Sequence, residues 1–360
     1  FFFQLINKIA DTIDSISFAA GRPDRQHTEK IQDLTKMQKQ LTGLGLNSYE
    51  FSSRSDLVDS INLVIDGKTD QASSKLDSIF KESTQDPFVE ARAETLKALN
   101  FVRADNRNCK NPEVKPLAVS ALKKDSHIGA AYNIIGLCVT QEVDDDLKKQ
   151  IKDIEQQPED VKKERKDKII KNAENMQTAL RYYDLAFSLN PGSFARCRAS
   201  NNRVWGNMLF LGVFLDKKLP IDKYLALSNY KDIESFFVDS VNQLNFCKEV
   251  SPQQFVWWES EAQLHGIIEK SGDMGGRDPV EFHQEMFSLY KQALEKNMFS
   301  AMSNEEAMKY FCDDTLIEGL HNDQGIIDLI KQYSLPGKTK TCEDIKKEEE
   351  IKKQSEAAVK

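Results

Sequence analysis

Apolar residues recur along this chain at intervals of three and four, the spacing that lines one face of an α-helix. No stretch keeps the strict alternation of a strand for long enough to build a sheet, so the pattern predicts an all-α protein. Ile9, Ile13 and Ile16 mark a first helix that Gly21, Arg22 and Pro23 end, and a second helix is expected over about 27–42 before a linker. From Ser55 two helices are joined by a turn at Gly67, and a further pair runs from Pro87 to Asp125 across a loop rich in asparagine. After Pro191 a long helix becomes strongly apolar from Trp205 and closes at Pro220. Three more helical stretches follow to about residue 297, then a last pair, and a charged tail with few apolar residues expected to be a solvated helix or disordered.

The stretch from Ala130 to Pro191 breaks this rhythm. Two apolar halves are separated by roughly thirty charged residues where a short turn would serve. Within that insert Leu147, Ile151 and Ile154 recur at four and three, and Ile169, Ala173, Met176 and Leu180 do the same. Each limb thus has the narrow apolar seam of a two-helix coiled coil. Gln156, Gln157 and Pro158 supply the reversal, with Glu159 and Asp160 favourable at a new helix N-terminus. Arg165 interrupts the second seam. The pattern predicts an antiparallel arm over about 142–175, with limbs of roughly 22 Å at 1.5 Å per residue.

The second half of this stretch carries Ala179, Tyr183, Ala186 and Pro191, with Phe187 and Leu189 beside them, and the first half carries Tyr132, Ile135 and Gly136. This arrangement resembles a tetratricopeptide (TPR) repeat whose two helices have been lengthened. Fainter echoes stand at Ala72, where Ile79 replaces the second small residue, at Ala118 and Ala121, and at Tyr290 and Ala293. The resemblance implies a right-handed α-solenoid of about six helix pairs, each burying its face against its neighbours. The expected division is N-terminal helices and linker over 1–50, a TPR-like repeat domain over 51–336, and the charged tail over 337–360.

A formal net charge of −8 and a pI near 5.4 argue against a general nucleic-acid binder, which needs clustered Lys and Arg to neutralise phosphates. The six cysteines show no CxxC pair, and a chain of 360 residues does not need disulfide staples, so reduced, partly buried thiols are expected. No two of the five histidines stand three or four apart, and neither a metal nor another cofactor is expected. Phe1, Phe2, Phe3, Leu5 and Ile6 are read as the start of the first helix, the other reading being the tail of a signal or anchor segment that would bring the chain near a membrane. A cytoplasmic setting is favoured, with membrane tethering or export left open, and the composition does not fix an oligomeric state.

No enzyme motif stands out. Glu90 with Glu94, or Asp144 to Asp146, are read as solvent-facing charge, and SGDMGGRD lacks the residue order and preceding strand of a phosphate loop. Trp257 and Trp258 are expected in the interior. The cluster Arg196, Arg198, Asn202 and Arg203 follows Pro191, where the resemblance implies a concave groove, and Arg198 with Asn202 share a helical face that could hold a peptide carboxylate. On the arm, Lys148, Lys149, Glu159 and Lys163 are the candidate partner contacts. The expectation is a scaffold or adaptor for other proteins or peptides. Its rivals are an enzyme with a site among His265, His283, Glu261 and Asp273, and an exported bacterial factor acting on host proteins.

Overall fold

A computed structural model describes residues 55–351, apart from 83–85, 105–108, 153, 155–156, 190–192, 338–339, 346 and 349–350. The two N-terminal helices and linker expected over 1–50 lie outside the described residues, as do Gln156 and Pro191. The described residues are helical and contain no strand; Ser303 and Leu335 share an isolated bridge. The chain separates into two compact units, one ending at Arg203 and the other beginning at Val204.

Among its described residues the first unit holds three consecutive helix pairs, each with its helices packed together. They are α1 (Ser55–Ile65) with α2 (Thr69–Glu82), α3 (Pro87–Ala104) with α4 (Val114–Lys124), and α5 (Gly129–Ile151) with α6 (Glu159–Leu189). Gly67 makes the first turn at φ 69°, a conformation that a side chain disfavours. The pairs share one apolar cluster that includes Leu57, Leu76, Leu96, Ala118, Ile134 and Cys138, with Val139 on α5 and Tyr182 on α6 packed against it. Small residues decide how close the third pair can come. A Cβ on Gly136 would lie 2.7 Å from the ring of Tyr183, whose hydroxyl is 3.0 Å from that of Thr140, and Ala179 and Ala186 are fully buried to either side.

The boundary between units falls inside α7 (Ser193–Asp216). The second unit continues with α8 (Ile221–Leu227), α9 (Ile233–Val250), α10 (Phe255–Ser271), α11 (Pro279–Glu295), α12 (Asn304–Asp313), a 3-10 helix over Thr315–Leu320, and α13 (Gln324–Tyr333). Its helix starts are written locally. Asp232 with Ser235 and Ser303 with Glu306 form capping boxes, and Asp278 caps α11 with Pro279 in the first turn. The centre is α10, in which every residue from Glu259 to Ile268 is buried. Gly266 lets the 3-10 helix press directly on it, because a Cβ there would fall 1.7 Å from the Leu316 carbonyl oxygen.

Two sequence expectations are corrected. Cys109 is bonded to Cys138 and Cys312 to Cys342, while Cys197 and Cys247 remain buried thiols, so four of the six cysteines are not the reduced thiols expected. The spacing could not disclose this, since no local motif marks either pair and six cysteines allow fifteen connectivities. The charged tail, in turn, is not wholly solvated: Cys342 and Ile345 are buried in the second unit's core. The few apolar side chains near the start of the tail are therefore the ones that anchor it.

Candidate interaction sites

Over the stretch expected to form the arm, α5 and α6 pack against each other on either side of the reversal. Leu147, Ile154, Ile169, Ala173, Met176 and Leu180 of the predicted seams are buried, with Ile151 half-buried, and Val143 is buried beside them. Arg165, which looked like an interruption, closes the hairpin by donating from Nη1 to the Lys152 carbonyl at 2.7 Å. Its guanidinium thereby satisfies one of the carbonyls that the end of α5 leaves without an intrahelical donor. Pro158 immediately precedes α6, its carbonyl accepting from the Lys162 amide at 2.9 Å, and Glu159 and Asp160 occupy the first turn, where acidic side chains suit the helix dipole.

The outer surface of this hairpin is charged. Lys148 pairs with Asp144 at 2.6 Å, Lys162 with Glu159 at 3.0 Å and Lys168 with Glu164 at 2.8 Å, and the last pair holds the Glu164 carboxyl below its ordinary range. Lys149 and Lys163 are exposed. All four candidate contact residues of the arm are therefore at the surface. Two of them, Lys148 and Glu159, take part in exposed pairs that hold only weakly in salt.

The basic cluster on α7 is differently placed. The Arg196 guanidinium lies 4.3 Å from the centroid of the Phe187 ring, Arg203 pairs with Asp184 at 2.9 Å, and Asn202 donates to Asn133 at 3.0 Å. All four residues, Arg198 included, are half-buried, and three of them contact α5 or α6. Arg198 and Asn202 share one helical face, but the Asn202 amide is already engaged within the unit.

Of the residues of the enzymatic alternative, His265 meets the backbone of Glu261 one turn earlier, and each side chain is otherwise engaged with a different partner. His265 is enclosed by the rings of Phe237 and Phe282, with Nδ1 2.8 Å from the Glu261 carbonyl and Nε2 3.3 Å from Glu285. His283 faces Glu269 at 3.2 Å, Glu261 is paired with the half-buried Lys248, and Asp273 receives the Gly275 amide at 3.3 Å. The glycine loop around Asp273 is fastened by Arg277, whose Nη2 donates to both carboxylate oxygens of Glu234 and whose guanidinium lies over the Phe237 ring. Glu90 and Glu94 are likewise joined, both to Lys124. Burial alone would lower the Lys124 pKa, but the hydrogen bonds and charges of Glu94 and Glu90 outweigh it and raise it. Among the described residues no group of three His, Cys, Asp or Glu side chains could hold a metal ion, and no helix is long and apolar enough to cross a membrane.

Sequence reasoning missed the polar contacts of α10. Tyr310 donates to the buried Glu259 at 2.8 Å and Gln263 donates to Asp314 at 2.7 Å, while Asp314 also caps the 3-10 helix through the Leu316 amide at 3.0 Å. Burial pushes the Asp314 carboxyl above its ordinary value, against the pull of these hydrogen bonds. Tyr290 is fully buried and its hydroxyl has no hydrogen-bond partner among the described residues. Burial, then the nearby Glu259 and Asp314, push its pKa well up. In the sequence Glu259, Ala262, Gln263 and Gly266 fall on one side of the helix, free of Trp, Leu and Ile, and read as a solvent face although all four are buried. Of the two tryptophans, Trp257 is interior as expected, while Trp258 is half-buried and flanked by Lys248 and Lys296 at 4.7 and 4.8 Å from its ring centroid.

On α1 and α2 there is one open groove of about 610 Å³, lined by Asp56, Leu63, Asp70, Lys75 and Ile79 among others. Comparison with protein-family models, with curated proteins and with solved structures finds no match for the chain.

Proposed function

We propose that this chain is a protein–protein interaction scaffold, a subunit of a larger assembly, which holds other proteins or peptides on a concave repeat surface and on the helical arm and is not itself an enzyme. The proposed architecture behind it is a TPR-like right-handed solenoid of about six helix pairs, a form that offers extended surface in place of a closed reactive cleft. Three consecutive helix pairs in the first unit and the close approach of Gly136 to Tyr183 are in keeping with it.

The observation that carries this reading is the arm. Its buried apolar side chains, from Val143 to Met176, lie along α5 and α6 and are not among the members of the shared apolar cluster, and its outer face is charged. A hairpin of this kind adds little to the body, so contact with something outside the chain is the use that explains it. The separate pairing of the candidate catalytic residues is the reason for preferring binding to catalysis.

The test replaces residues 144–174 with a short Gly/Ser turn and compares partners crosslinked to the full chain and to the shortened one in the cells that make it. The expected result is loss or weakening of one partner, with helical circular dichroism and cooperative melting of the body retained. A shortened chain that keeps every partner removes the arm from recognition.

A further inference from the structure

The cysteines divide into two bonded pairs and two thiols, and the bonds lie where other holdings are thin. Around Cys342 the segment from Lys340 to Ile345 contributes only Cys342 and Ile345 to the core. Its remaining contacts are exposed: Lys340 pairs with Glu305 at 2.6 Å and Glu348 at 2.7 Å, and Thr341 and Asp344 cap each other's backbone amides. Such surface pairs are screened by salt and hold a strand of chain poorly. The bond to Cys312, itself buried on α12, is the strong attachment. Cys109 likewise lies in the connection between α3 and α4, and apart from its bond to Cys138 its amide donates to the Gln141 side chain.

We infer that this chain is oxidised to the two-disulfide form as it folds, so that its working form belongs to a disulfide-forming compartment, where Cys312–Cys342 straps the start of the tail to the second unit. Disulfides persist in secreted, periplasmic and endoplasmic-reticulum proteins and are removed by the thiol reductants of an ordinary cytosol. The oxidant is a disulfide of a thiol–disulfide exchange partner. For each bond, a thiolate of one cysteine attacks the partner's disulfide to form a mixed disulfide. The second cysteine's thiolate then displaces the partner, so two thiols lose two protons and two electrons and the partner's disulfide becomes a dithiol. Cys197 and Cys247 are fully buried and stay thiols.

The experiment takes the full chain from the cells that naturally make it, blocks thiols with N-ethylmaleimide during denaturing lysis, and maps its peptides without reduction. The expected result is Cys109 linked to Cys138, Cys312 linked to Cys342, and alkylation at Cys197 and Cys247. Six alkylated cysteines, or any other pairing, overturns the inference. The strap is read separately by limited trypsin digestion of the full chain with and without reductant. Cleavage after Lys347 should become faster by roughly tenfold or more on reduction, because proteolysis follows the population of the opened segment. The Cys312→Ser, Cys342→Ser double variant should show the fast cleavage without reductant. Equal cleavage in the oxidised and reduced chains shows that the bond is not what holds the tail, and sinks that part of the inference whatever the variant does.

Discussion

Gly266→Ala isolates the contact between α10 and the 3-10 helix. At an exposed helical site this change would favour the helix by about 1 kcal/mol. Here the new Cβ would meet the Leu316 carbonyl oxygen at 1.7 Å and its carbon at 2.8 Å, both backbone atoms of an element with no freedom to rotate away. Restoring van der Waals distance needs roughly 1.5 Å of separation between the two elements. Overpacking of that kind costs about 3 kcal/mol or somewhat more, the upper part of the usual range. The propensity gain offsets about 1 kcal/mol of it, which leaves a net loss of about 2 kcal/mol. For a unit of this size that is a fall in melting temperature of about 4–8 °C. Gly212→Ala is the internal control, since its Cβ would meet only side-chain ends, Leu316 Cδ2 at 3.1 Å and Ile267 Cδ1 at 3.4 Å, and should stay within about 1 kcal/mol of the parent. The assay is tryptophan fluorescence through a thermal and a urea transition. All three tryptophans, Trp205, Trp257 and Trp258, lie in the unit that begins at Val204, so the signal follows that unit alone. A Gly266→Ala protein as stable as the Gly212→Ala control would refute the close approach described here.

In the first unit, Ala186→Leu should cost about 1–3 kcal/mol in urea unfolding followed by circular dichroism, because Ala186 is fully buried; an unchanged midpoint counts against the repeat packing around Tyr183. Arg165→Ala should quicken amide exchange at the hairpin reversal near Lys152 without moving the global melting temperature, and unchanged exchange there would deny the arginine its closing role. Asp314→Asn keeps an oxygen for the cap but removes the buried charge. The folded carboxyl pKa is raised, so the native state binds more protons than the unfolded one, and ionisation costs stability as pH rises through and above the ordinary aspartate value of 3.8. The advantage of Asn over Asp should therefore grow from acid to neutral pH, and an advantage that is flat or shrinks over that window contradicts the assigned cause.

How much of this was legible beforehand depends on the range of the physics involved. The pairing of α5 with α6 was legible because both of its requirements are local: apolar residues three and four apart, and a proline with acidic neighbours at the turn. Arg165 was misread for the opposite reason, since its meaning lies in the Lys152 carbonyl on the other limb. The α7 cluster looked like a basic face because its charges are adjacent in sequence, yet Phe187, Asp184 and Asn133 meet it from other helices. On α10 periodicity misleads, because Glu259, Ala262, Gln263 and Gly266 read as a polar face on a helix that is buried on every side from Glu259 to Ile268. Gly266 is one glycine among sixteen until Leu316 is placed against it.

The disulfide pattern also bears on the order of synthesis. Each bond joins cysteines that are neighbours in the cysteine order, first to second and fifth to sixth, across 29 and 30 residues. A nascent chain that oxidised each cysteine with the preceding free one would form the Cys109–Cys138 bond before Cys197 emerged. It would then stand at a decision, because Cys197 and Cys247 come next and must pass unpaired for Cys312 to meet Cys342. Fast burial of those two thiols inside α7 and α9 is what keeps the count in step. Delayed folding of these helices would thus be felt first as a wrong covalent bond, which a disulfide isomerase would have to undo.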